Sequence, residues 1–202
     1  MKKYLAMLLC LVFICGVFAG CGGEKKMAYT PGETDGDVFT SEWMGIKFTK
    51  NDDYIYATDD ELLEMLDASA DAYYEDKETG KQLVDYAKAN SVIEMMASSL
   101  NGDNILLMTE KLPLSNMTMD QYIESFSKQM DGQGMNFDGR STKSFAGKEF
   151  TLMKYSLDIG ITLYQDYYLY KQDNRMVAVI VTYFDSETRD MLLGSFEEIK
   201  TK

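Results

Sequence analysis

Tyr164, Asp166, Tyr168 and Tyr170 recur at intervals of two, so on a strand all four line one face. Aromatic rings beside a carboxylate can stack on a sugar or a peptide, which makes this row the candidate binding patch. The plainer alternative is that tyrosine packs well on sheets for its own sake. A second group, Asp52, Asp53, Asp59, Asp60 and Glu61, offers oxygen ligands of the kind calcium takes, but it lacks the loop spacing and the glycine of an EF-hand. Helix capping and solvation account for these acids better, so no metal site and no cofactor are expected. The chain has no histidine. That removes the commonest general base, the commonest transition-metal ligand and the usual partner of a serine or cysteine nucleophile. An enzyme built from what is left needs a carboxylate pair or a Ser–Lys arrangement, and neither has a recognisable motif here. No catalytic residue is assigned.

The three cysteines are Cys10, Cys15 and Cys21, all near the start of the chain. Lys2 and Lys3 precede an unbroken apolar run from Tyr4 to Ala19, which stops at Gly20-Cys21. A basic start, a short apolar core and small residues at its end are the parts of a secretory signal. Phe18-Ala19-Gly20-Cys21 resembles the lipobox of bacterial lipoproteins, with Phe18 where leucine is usual. The resemblance implies that residues 1–20 are removed and that Cys21 receives lipid. The protein would then be held on the extracytoplasmic face of a bacterial cell membrane, and two or more acyl chains hold such an anchor stably. The alternative is an uncleaved spanning helix followed by Gly22-Gly23-Glu24-Lys25-Lys26. In the lipidated form no thiol remains and no disulfide framework is possible.

Loss of residues 1–20 removes two lysines and no acids, so 18 basic residues face 33 acidic ones and the net charge is −15. Such a surface repels nucleic acid and anionic lipid headgroups, and neither is expected as a partner. Residues 21–40 carry glycines at 22, 23, 32 and 36, Pro31 and scattered charge without an apolar period, which reads as a lipidated cysteine and flexible tether. Residues 41–202 are then a single domain of ordinary size.

The elements of that domain follow from periodicity. Trp43–Thr49 and Asp53–Ala57 read as strands, and Thr58-Asp59-Asp60-Glu61 is a capping-box pattern that starts a helix. Residues 81–89 read as helix. Val92–Leu100 and Asn104–Lys111 form a hairpin through Asn101-Gly102. Thr118-Met119-Asp120-Gln121 opens another helix with Tyr122, Ile123, Phe126 and Met130 on one face. Met135–Gly139 reads as a short strand, then Glu149–Leu157, Thr162–Lys171 and Met176–Phe184 as a meander. The last run does not alternate, which predicts a central strand covered on both faces. Ser186 is placed to cap a final helix whose inward face is Met191, Leu192, Phe196 and Ile199.

The fold class is α+β, an antiparallel sheet flanked by helices in an α/β/α sandwich. The Trp-x-Gly-φ-x-Phe opening, the Met119-Asp120-Gln121-Tyr122 helix, the Gly147-Lys148-Glu149-Phe150 strand start and the closing Ser-Phe-Glu-x-Ile segment resemble the PsbP/Mog1-like domains. Lys50-Asn51-Asp52-Asp53-Tyr54 stands where that family has a Pro-x-Gly-Trp turn. The resemblance implies a non-catalytic accessory or binding module. The function expected is therefore a membrane-anchored extracytoplasmic lipoprotein that engages a protein or cell-envelope partner without catalysis. The competing readings are a carboxylate-dependent extracytoplasmic enzyme and a small-ligand binding lipoprotein.

Overall fold

Strict and broken apolar alternation becomes, in a computed structural model, two antiparallel sheets and their covering helices. The structure describes residues 28–65 and 77–200. The elements in order are β1 (Glu33–Asp35), β2 (Val38–Ser41), β3 (Ile46–Thr49), β4 (Tyr54–Tyr56), α1 (Lys77–Asn90), β5 (Ser91–Ser99), β6 (Asn104–Lys111), α2 (Met119–Gly132), β7 (Asn136–Phe145), β8 (Lys148–Asp158), β9 (Thr162–Gln172), β10 (Arg175–Tyr183), α3 (Ser186–Gly194) and β11 (Phe196–Glu198). Residues 59–65 are also helical. Among the described residues the larger sheet has seven strands in the order β4-β5-β6-β10-β9-β8-β7, and the smaller has four in the order β1-β2-β3-β11.

The central position of the Met176–Tyr183 run is as its composition predicts. β10 pairs with β6 on one side and β9 on the other. Val177, Val179 and Val181 enter one apolar core while Met176, Ala178 and Ile180 enter the other. The 59–65 helix, α1 and α2 cover one face. Leu62, Val84 and Ala87, with Tyr122, Ile123, Phe126 and Met130 of α2, pack on Met153, Tyr155, Tyr167 and Leu169. The opposite face is covered by the small sheet and α3, through Phe39, Ile46, Phe48, Leu192, Leu193 and Phe196. The helix-flanked sandwich is thus corrected to helices, seven-stranded sheet, and a second sheet with one helix.

Four sequence-based expectations change as well. The segment read as a tether through residue 40 contains β1 and β2, a hairpin turning at Gly36 (φ +57°) that joins the small sheet, so ordered chain begins well before residue 41. Trp43–Gly45 is a turn and the strand starts at Ile46. The final helix stops at Gly194 under an Asp185 cap rather than a Ser186 one, and Phe196 lies on β11, opposite Phe48. The Asn101-Gly102 turn is also longer than a two-residue turn. Ser99 N–H donates to the Asp103 carbonyl at 2.9 Å, and only Gly102 has positive φ.

Both capping boxes form. Gln121 N–H donates to Thr118 Oγ1 at 3.2 Å and Thr118 N–H to Gln121 Oε1 at 2.9 Å. The corresponding Thr58–Glu61 pair measures 3.3 and 2.7 Å. Glu61 is thereby a capping residue.

Candidate functional site

β9 places Tyr164, Asp166, Tyr168 and Tyr170 on one face, as their spacing predicts, but that face lies against the second sheet. Asp166 and Tyr168 are each 1% exposed and Tyr170 is buried, while Tyr164 alone reaches the surface at 38%. Tyr168 meets Phe145 edge-on at 5.5 Å, and Tyr170 meets Phe150 edge-on at 5.0 Å. The candidate binding patch is therefore corrected to a core feature with one surface member, which is the plainer reading of the row. The physical reason is that parity decides which face a side chain takes, and the cover on that face comes from β2, β3 and β11, whose strands of three or four residues carry almost no period.

Asp166 nevertheless makes a specific polar cluster. The Tyr168 phenol donates to its Oδ2 at 3.0 Å, and Arg189 Nη1 of α3 stands 3.9 Å from the same oxygen. Burial raises the Asp166 pKa, opposed by the hydrogen bonds from Tyr168 and Tyr183 and by the charges of Lys154 and Arg189. The Tyr183 phenol is pushed up to about 12, chiefly by burial and the charge of Asp166. Tyr164 stacks on Tyr183 at 5.5 Å at the edge of the cluster. A carboxylate so covered serves packing and orientation rather than chemistry on a diffusing substrate.

A second cluster was not foreseen and lies at the opposite end of the large sheet. Register shifts between Ile93 and Met95, a β-bulge whose extra residue is Glu94. Its carboxylate accepts from the Tyr29 phenol at 2.7 Å and from Gly32 N–H at 2.8 Å. Arg175 at the start of β10 stacks on the Tyr29 ring, 3.7 Å from its centroid, and donates to Thr109 Oγ1 at 3.3 Å. Trp43 meets Tyr29 edge-on at 5.1 Å. Gly32 is required here, because a Cβ would stand 2.2 Å from the Phe39 ring and 2.8 Å from the Thr40 carbonyl oxygen. One sequence signal could have found this cluster: a single carboxylate inside the apolar run Val92-Ile93-Glu94-Met95-Met96.

A cleft of about 350 Å³ lies between the 59–65 helix, α1 and the start of β5, lined by Leu62, Leu63, Ala87 and Ile93 with Asp59 and Lys88. Among the described residues no group of His, Cys, Asp or Glu side chains converges to hold a metal ion, and no helix is long and apolar enough to cross a membrane. Cys21 lies outside the described residues.

No protein-family model matches the chain, and no curated protein matches it. Among solved structures it is similar to the solution structure of cyanobacterial PsbP (CyanoP) from Synechocystis sp. PCC 6803. The two share 9% identity over 89% of this chain and 98% of that one, with a TM-score of 0.47.

Proposed function

We propose that the chain is a lipid-anchored extracytoplasmic protein whose folded part acts as a non-enzymatic binding or accessory module. The observation that carries this reading is the amino-terminal segment, a basic start, a short apolar run and Ala19-Gly20-Cys21 at its end. The Glu94 cluster adds a geometric consequence. Tyr29 is pinned to the domain, so only residues 22–28 separate it from Cys21, and seven residues span at most about 25 Å even fully extended. The pinning point lies near the end of the large sheet where β10 begins. The β5–β6 and β8–β9 turns lie at the end where β10 finishes, about 27 Å away along the strand. That far end exposes Leu100 (96%), Ile161 and Tyr164, apolar side chains suited to a protein contact.

Cys21→Ala tests the anchor. Loss of radiolabelled palmitate incorporation together with release from membranes supports it. Undiminished membrane retention, with Met1 still present on the purified chain, establishes the uncleaved-helix alternative.

A further inference from the structure

The segment Tyr29–Gly32 lies in a socket whose parts are more firmly built than their occupant. One carboxylate, Glu94, holds both ends of the segment through the Tyr29 phenol and the Gly32 N–H. Thr109 Oγ1 stands 3.2 Å from both Tyr29 Oη and Glu94 Oε1. Arg175 and Trp43 enclose the Tyr29 ring from a face and an edge. Glu94, Thr109 and Arg175 come from three adjacent strands, β5, β6 and β10, and Trp43 is itself buried. The occupant is held through its two ends, the Tyr29 side chain and the Gly32 backbone. Ala28, Thr30, Pro31 and residues 33–37 are exposed, and Tyr29 is half-buried.

Within the same region the Tyr170 hydroxyl is buried with no hydrogen-bond partner among the described residues. The nearby Glu94 charge adds to burial in raising its pKa. A buried hydroxyl without a partner is uncommon and costly, which marks the neighbourhood of Glu94 as polar and incompletely paired.

We propose that this socket is an exchangeable recognition site for an extended peptide carrying tyrosine followed three residues later by glycine, and that Tyr29–Gly32 is its built-in occupant. The ligand chemistry is read from the occupant itself. A phenol O–H and a backbone N–H donate to one carboxylate, and a guanidinium stacks on the ring. A phosphorylated tyrosine does not fit, because Glu94 meets the hydroxyl position with negative charge. A partner's segment that displaces Tyr29 in trans also frees the chain that leads to residue 21.

Trp43 is the sole tryptophan and touches the Tyr29 ring, so its emission reports the socket. The probe is the peptide Met-Ala-Tyr-Thr-Pro-Gly-Glu, copied from residues 27–33, titrated into the full chain carrying Tyr29→Ala, with its fold checked by circular dichroism. The expected result is a saturable change in Trp43 emission, with wild type at least about tenfold weaker because its own Tyr29 competes. Phenylalanine for tyrosine in the peptide, or Glu94→Gln added to the receptor, weakens binding by about tenfold or more, and the phosphotyrosine peptide does not bind. A folded Tyr29→Ala chain with no saturable response overturns the proposal, as does equal binding of the tyrosine and phenylalanine peptides. If Tyr29→Ala does not fold, Tyr29→Phe keeps the ring in place and loses only the hydroxyl's bonds to Glu94 and Thr109. The peptide must then bind this variant more tightly than wild type, and failure to do so overturns the proposal equally.

Discussion

The Tyr168 phenol donates to Asp166 at 3.0 Å from two residues along the same strand, with both side chains 1% exposed. Their bond is the inner part of a cluster with Tyr183, Arg189 and Lys154; burial raises the Asp166 pKa, and the Tyr168 bond opposes that rise without cancelling it. Between its unfolded value near 4 and that raised value, the folded state binds the proton more tightly than the unfolded chain. The Asp166 contribution to stability is thus fullest below that unfolded value and is lost as pH rises through the folded pKa.

Asp166→Asn removes this titration and keeps an acceptor for Tyr168. Relative to the variant, wild type is expected to gain stability as pH falls from 7 toward 4. Glu61, Glu124 and Asp185, whose pKa values are lowered, titrate in the other direction in both proteins and cancel in the difference. Denaturant unfolding across that range checks the sign, and a difference independent of pH refutes it.

Val179→Asp is expected to unfold the domain. Val179 is fully buried in the central strand, and an isolated buried charge costs several kcal/mol against a total stability of about 5–15 kcal/mol. A variant that melts at the wild-type temperature would remove β10 from the centre of the sheet.

Thr118→Ala is expected to cost about 0.5–2 kcal/mol, because it leaves the Gln121 N–H without its cap, whereas Thr118→Ser keeps the hydroxyl and most of that stability. Equal losses for alanine and serine would show that the threonine methyl, not the cap, carries the effect.

Gly32→Ala is expected to lift the segment around Tyr29 while leaving both sheets folded. The added Cβ meets the Phe39 ring and the Thr40 backbone, and the backbone oxygen cannot give way as a side-chain end would. Chymotryptic cleavage after Tyr29 should quicken by about tenfold or more, with far-ultraviolet circular dichroism unchanged. An unchanged cleavage rate would show that the segment tolerates the methyl where it lies.

Most of the large sheet was legible in the chain because its signals are local, although β7, read as ending at Gly139, runs on to Phe145. The unbroken apolar run of β10, the turn residues between β5 and β6, and the Thr118–Gln121 cap each lie within a dozen residues. The small sheet was not. β11 finds β3 across about 150 residues of chain, as Phe196 opposite Phe48, and three residues of strand give no alternation to read. This also explains the tyrosine row, whose common face was read correctly from parity while its cover was invisible. The Glu94 cluster failed differently, since a bulge is a departure from period and one acid in an apolar run reads as noise until Tyr29 and Gly32 are seen to converge on it.

Among the described residues β7 is a long free edge of the large sheet, ten residues paired only with β8 and mostly exposed. Such an edge invites sheet-to-sheet joining between molecules, and a protein confined to a membrane plane would meet its own copies at high local density. The bulge between Phe137 and Gly139, with Gly139 at φ +147°, breaks the regular ladder of that edge, and Lys143 sets a charge along it, while Arg140 is ion-paired with Asp120 of α2. A second β7 would have to pair around this bulge, so the strand that leaves the sheet open also carries a break in the ladder that another copy would need.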